Sequence, residues 1–372
     1  MSGITRARRI MLTVLALMLG CVAVVMGILL VLSPGHPSPL RDESGKVLAG
    51  SVSEKIHVEI NGSQQGMFIK SRNPSNPVLL FLHGGTGMPE YFLSMKYPTG
   101  LEDAMTVVWW DRRGAGLSFD PQAAQEALSI EQYVSDTLAV TNYLRTRFHQ
   151  DKIYLMAHSG GTTIGIQAAA RAPSLYHAYI GVGQMTHQIK SEILAYEYML
   201  GRYREAGNVS MVRQLEAAPL SMTAPLPGAY MTLRDRAMHE FGVGTTRDMK
   251  SVIRGVFLES WLCPDYTVME KLNIWRGKFS SDARLWDQIV AMDLTKMITT
   301  LEVPTYFLHG KYDYTVSYPE TRAYLGMLQA PVKGFYTFDQ SAHSPMFEEP
   351  AKVREIMASD VLRGTNMLAD RM

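Results

Sequence analysis

Cysteine is nearly absent: 372 residues carry only Cys21 and Cys263, too few for a fold stapled by disulfides. Cys21 also falls inside an apolar N-terminal run, so an internal bridge to Cys263 is not expected. No His-x-x-x-His, His-Glu-x-x-His or clustered cysteine spacing occurs, and no metal is expected. Gly114-Ala115-Gly116 has neither the lysine of a Walker loop nor a Gly-x-Gly-x-x-Gly frame, so it is read as a tight turn after Asp111. Arg112 or Arg113 is expected in a supporting ion pair. Charge is scarce as well, at 19% of residues and a net +1, with no block of one sign. That balance excludes the basic face of a nucleic-acid binder. Internal repeats and low-complexity tracts are missing too, which leaves a globular composition with ample material for one large core.

What is present begins with Arg6, Arg8 and Arg9, followed by the uncharged run Ile10 to Leu32. At about 1.5 Å per residue such a helix crosses a hydrocarbon core of about 30 Å. A cleavable signal has a shorter apolar region of about 7–15 residues. Leu19-Gly20-Cys21 hints at lipoprotein processing, but apolar residues continue well past the cysteine. Arginines ahead of the span keep the N-terminus cytoplasmic and turn the remainder outward. The expectation is a cytoplasmic stub and single-pass signal anchor over 1–32. Residues 33–54, rich in Pro, Gly and Ser, read as an extended linker that lifts the domain off the membrane.

From residue 55 onward strand and helix signals alternate. Ile56–Ile60 and Met67–Ile69 flank Asn61-Gly62 as a hairpin would. Val78–Leu82, Thr106–Trp110, Ile153–Met156, Ala178–Val182, Pro304–Leu308 and Gly334–Phe338 are short apolar runs of the buried parallel kind. Ile130–Phe148, Thr162–Arg171 and Pro350–Leu362 are helical. The pattern predicts an α/β fold, a mostly parallel sheet with helices on both faces. Its core spans 55–185 and 293–372. Residues 186–292, poor in strand-like runs, read as a helical cap inserted over the carboxyl end of the sheet.

The chemistry centres on Ala157-His158-Ser159-Gly160-Gly161. Strand, small-residue turn and helix with a serine at the apex is the context of a nucleophile elbow. A serine hydroxyl needs a base to accept its proton, and the base needs an acid to fix its tautomer. Asp313 and His343 follow in the order Ser, Asp, His, each just past a predicted strand. Asp339 is a second candidate acid. Backbone N–H groups of Gly160 and Gly85 are the candidate oxyanion donors, the latter from His83-Gly84-Gly85-Thr86-Gly87. His83 and His309 are read as structural, and His158 as lining the elbow.

Together with Trp110-Asp111-Arg112-Arg113-Gly114-Ala115-Gly116-Leu117-Ser118, these motifs resemble the proline iminopeptidase family of α/β-hydrolases over about residues 55–365. The resemblance implies a capped α/β-hydrolase fold, a Ser-Asp-His triad and release of an N-terminal proline from small peptides. Thr86 and Ala157 stand where the family usually has Pro and Gly. The family's Trp-Glu pair, which holds the substrate's amino group, is missing from this cap. Glu192, Glu197 and Glu205 are the carboxylates of that region, with Glu192 and Glu197 the candidate substrate-binding residues. The expected protein is a membrane-anchored serine hydrolase without cofactor, acting on a short peptide or other small molecule outside the cytoplasm. A carboxylesterase is the alternative, and a non-catalytic hydrolase-fold binding protein the third reading.

Overall fold

A computed structural model of the chain describes residues 2–122 and 128–371, with side chains other than those of residues 2–6 and 281–284. Its strands are β1 (Val52–Ile60), β2 (Ser63–Ser71), β3 (Val78–Leu82), β4 (Thr106–Trp110), β5 (Ile153–His158), β6 (Tyr176–Val182), β7 (Thr305–Gly310) and β8 (Lys333–Phe338). They form one sheet in the order β1-β2-β4-β3-β5-β6-β7-β8. β1 and β2 close through Asn61 and Gly62, both at positive φ (47° and 74°), the geometry a two-residue hairpin turn requires. β2 pairs antiparallel with β4, and every later pairing is parallel. All residues of β3, β4, β5 and β7 are buried. That is why they read as continuous apolar runs and not as alternating ones.

The helices are α1 (Ser2–Val31), α2 (Tyr91–Lys96), α3 (Ile130–Phe148), α4 (Gly160–Arg171), α5 (Gln188–Glu205), α6 (Val209–Glu216) and α7 (Gly228–Glu240). After them come α8 (Leu258–Leu262), α9 (Val268–Ala291), α10 (Leu294–Met297), α11 (Tyr318–Met327), α12 (Pro345–Glu348) and α13 (Pro350–Ser359). Local chemistry sets several starts. Ser129 accepts from the Gln132 N–H to cap α3, and Thr267 with Glu270 makes a reciprocal capping box for α9. α3 and α4 bury Val134, Val140, Ile164 and Ile166 on one face of the sheet. Phe92 of α2, Val353 and Ile356 of α13, and Ile274 of α9 cover the other.

The helical stretch between β6 and β7 divides by packing. α5, α6 and α7 share a core of their own, including Ala195, Met199, Met211, Leu215, Ala237 and Met238. Cys263, Tyr266 and Ile274, by contrast, join the cluster on the sheet itself.

α1 contains Ala7–Val31, with mean hydropathy 3.0, a segment long and apolar enough to cross a membrane and not buried against the domain. The residues after it depart from the expected extended linker. Ser33 and Gly35 are buried, Gly35 N–H donates to Pro264 O (3.0 Å), and Ser53 Oγ donates to Ser38 O (2.7 Å). Composition alone made this segment look extended, but its first residues are docked on the domain.

Candidate active site

β5 ends at His158 and α4 begins at Gly160, so Ser159 alone makes the reversal, at φ 51° and ψ −125°. A non-glycine residue there is strained and persists only where its surroundings enforce it. The surroundings are tight. A Cβ on Gly161 would stand 2.5 Å from His83 O and 2.6 Å from Leu82 O, and one on Gly160 would stand 2.9 Å from Gly85 O. Ala157 is accommodated by Gly165 one turn into α4, whose own Cβ would come within 2.8 Å of the Ala157 methyl. The elbow thus carries an alanine because the helix facing it gives up a side chain.

Asp313, after β7, and His343, after β8, meet through a 2.8 Å bond between Nδ1 and Oδ2. With its Nδ1–H given to the carboxylate, the imidazole presents the lone pair of Nε2. That atom has no hydrogen-bond partner among the described residues, so the bond to Ser159 Oγ is not formed in this structure. Such bonds often tighten only with substrate. Ser159 N–H donates to Val182 O (2.9 Å), and a Cβ on the next residue, Gly183, would stand 3.0 Å from the His343 ring. Serine and histidine therefore share one crowded corner. Burial raises the Asp313 pKa, but His343 and the His309 N–H outweigh it and hold the carboxyl well below the usual range. Burial lowers the His343 pKa, and Asp313 offsets this only in part. Asp339 lies apart, exposed and paired with Lys311 at 3.3 Å.

His158 does more than line the elbow. Its Nδ1 faces Glu90 Oε1 (2.8 Å) and its Nε2 faces the His343 backbone oxygen (2.9 Å). Acceptors on both nitrogens call for a proton on each. Burial opposes the charge, yet Glu90 outweighs it and holds the His158 pKa above the ordinary value. The His158 and His343 rings are 4.7 Å apart, so this cation discourages protonation of the candidate base. Glu90 also accepts the Gly84 N–H (3.0 Å). The sequence signal for Glu90 was only a carboxylate three positions past Gly87.

The candidate oxyanion loop is held from behind by Arg112. Its Nη2 donates to Gly85 O (2.9 Å) and Gly84 O (3.2 Å), while the His83 ring bonds Gly84 O (2.8 Å). The expected supporting ion pair falls to Arg113, with Asp136 (2.7 Å), while Asp111 takes the Leu117 N–H (2.9 Å) and the Tyr266 hydroxyl (3.3 Å). Burial pushes the Asp111 pKa up to about 8. Gly85, at φ +60°, borders the Gly160 backbone, where a Cβ would lie 3.3 Å from Gly85 N.

The cap glutamates do not reach this corner as free carboxylates. Glu192 is buried and bidentate to Arg234 (2.7 Å twice), with Tyr230 and Gln188 donating at 2.8 Å each. Glu197 lies on the exposed side of α5, and Glu205 pairs with Arg202 (2.8 Å) at the surface. Helical periodicity could not reveal that Arg234, on another helix, claims the one inward carboxylate. Among the described residues no group of three or more His, Cys, Asp or Glu side chains could hold a metal ion.

The family profile of the α/β hydrolase fold matches residues 77–228, from β3 through the elbow and α5 and α6 to the start of α7. The chain has the α/β-hydrolase fold. It is 29% identical over 305 residues to a protein named probable aminopeptidase YbaC from Bacillus subtilis, covering 81% of this chain and 94% of that one. It is 22% identical over 307 residues to a proline iminopeptidase of Heyndrickxia coagulans, covering 79% and 93%. Among solved structures, the proline iminopeptidase of Mycobacterium smegmatis superposes with a TM-score of 0.57 at 15% identity, over 83% of this chain and 98% of that one. At that identity the superposition speaks to the fold alone.

Proposed function

We propose that this α/β-hydrolase is a membrane-anchored serine hydrolase that removes N-terminal residues from small peptides. The observation that carries the reading is the Asp313–His343 bond beside a serine held at φ 51°. Ser159 Oγ attacks the substrate carbonyl while His343 Nε2 takes its proton. The C–N bond breaks as His343 returns that proton to the departing amine, leaving an ester on Ser159. Water then attacks the ester, giving its proton to His343, and the acyl group leaves as Ser159 is reprotonated. Gly85 and Gly160 N–H groups receive the oxyanion, each donor lowering the barrier by about 3–4 kcal/mol. The aminopeptidase assignment draws on the relative named probable aminopeptidase.

Carboxylesterase is the second reading, and one observation favours it. The inward cap glutamate is already neutralised by Arg234, so the ammonium of a peptide needs another acceptor. Assaying the full chain in detergent against aminoacyl-naphthylamides, their N-acetyl forms and p-nitrophenyl acetate separates the two. A site that pairs the free amine should prefer it by at least about tenfold. Equal rates on free and acetylated forms transfer the assignment to the esterase. No turnover and no fluorophosphonate adduct at Ser159 would end the hydrolytic reading of this site.

α1 supplies the anchor, and Arg6, Arg8 and Arg9 ahead of it orient the domain to the extracytoplasmic side. Protease added to intact cells should degrade the domain; protection until lysis reverses the orientation.

A further inference from the structure

The end of α1 is pinned to the junction of α8 and α9. Lys271, buried on α9, donates to Leu32 O (3.1 Å), Ser33 Oγ (2.8 Å) and Trp261 O (2.7 Å). Gly35 sits so close that a Cβ on it would stand 2.4 Å from Thr267 Cγ2. Around this junction the surface is apolar. Phe279 is 74% exposed, Ile253 68%, Leu262 56% and Met269 56%. Aromatic rings run together across it: Phe257 lies 6.2 Å from Trp261 and 5.0 Å from Trp275, and Trp275 lies 6.0 Å from Phe279. Acidic side chains here are tied down, Glu259 by Lys96 and Glu270 by Lys55, at 2.7 Å each. Lys250, Arg254 and Arg276 are exposed.

We propose that this face is a lipid-contacting surface, resting in the headgroup and upper acyl region of the bilayer that α1 crosses. The proposal rests on the anchoring reading above. A helix face with aromatic and aliphatic side chains, rimmed by basic ones, suits an interface containing anionic phospholipid. Continuity supplies the commitment to lipid over other occupants. α1 ends within hydrogen-bond distance of Lys271, whose Nζ also bonds Trp261 O in the patch, so the patch cannot stand far from the membrane that α1 crosses. α9 also leans on the candidate site from its other side, since a Cβ on Gly277 would stand 3.0 Å from Gly87 O. One helix thus borders both the bilayer and the oxyanion loop.

The test reconstitutes the full chain in vesicles of phosphatidylglycerol and phosphatidylcholine with brominated acyl chains, which quench nearby tryptophan. α1 contains no tryptophan, Trp109 and Trp110 are buried, and Trp286 packs against the sheet cluster and the α5–α7 core, so the quenching lost with Trp261 and Trp275 reports on the face. At least about a third of the emission should be quenched, as expected for interfacial rings, and Trp261→Phe with Trp275→Phe should abolish that share. Phe279→Glu alters a mostly exposed side chain and leaves the core intact; it should reduce quenching at least about twofold. Vesicle flotation separates the two readings. A chain that floats but is not quenched overturns the lipid face and leaves the anchor standing. Unquenched emission with a cross-linkable dimer assigns the face to a second copy and overturns the proposal too. A chain that fails to float overturns the anchor and the face together.

Discussion

His158 illustrates how one side chain sets the chemistry of another. The proposed base role requires His343 neutral, and burial holds its pKa below the ordinary imidazole value, near 6.5. The acid limb of kcat/KM against pH should therefore fall below pH 6.5. His158→Asn removes a cation 4.7 Å away, so the limb should move to higher pH and the variant should lose most at pH 6. An unmoved limb would detach His158 from the base. Glu90→Gln tests the other end. The folded pKa of His158 is raised, so the stability it contributes is full below the unfolded value near 6.5 and is lost as pH rises through the folded value. The Tm deficit of Glu90→Gln should accordingly be larger at pH 6 than at pH 9. Ser159→Ala should lower kcat by about 10⁶-fold, measured on whichever substrate the panel selects.

At the scale of elements, the helices between β6 and β7 are joined by a buried ion pair. Arg234 of α7 and Glu192 of α5 lie within a cluster that also reaches the loop after Asp313, through Gln188 to Thr315 O (2.8 Å) and Ser317 N–H to Ser191 Oγ (3.0 Å). Removing one partner strands a buried charge. Arg234→Met should cost about 3–5 kcal/mol in urea denaturation, whereas Glu192→Leu with Arg234→Met should cost much less. Glu197→Gln, on the exposed side, should change stability by less than about 0.5 kcal/mol. A single Arg234→Met variant as stable as wild type would mean that the pair contributes no specificity to the packing of α5 on α7.

For the whole molecule, the segment after α1 behaves as part of the domain. Lys271 is buried with three oxygen acceptors, and burial lowers its pKa. Lys271→Met abolishes those bonds while keeping the side-chain volume. Residues 33–54 should then be cut by added protease about tenfold faster in the detergent-solubilised chain. Unchanged cleavage would show that the segment is held by its other contacts alone. Flotation with vesicles should be unaffected, because α1 is untouched.

Local periodicity and local motifs were enough to read the order of strands and helices, the strand–turn–helix reversal at Ser159 and the positions of Asp313 and His343 just past strands. Each of these depends on neighbours within a few residues. Buried strands betray themselves by unbroken apolar runs, and a strand–turn–helix reversal needs small residues on the spot. What the sequence could not supply is pairing across long separations. Glu90 meets His158 across 68 positions, Glu192 meets Arg234 across 42, and Lys271 meets Leu32 across 239. Each pairing satisfies a buried charge, and which of several like-charged candidates is chosen depends on which helices the sheet brings together. Glu192 and Glu197 differ by five positions on one helix, yet tertiary packing buries the first against Arg234 and leaves the second in solvent.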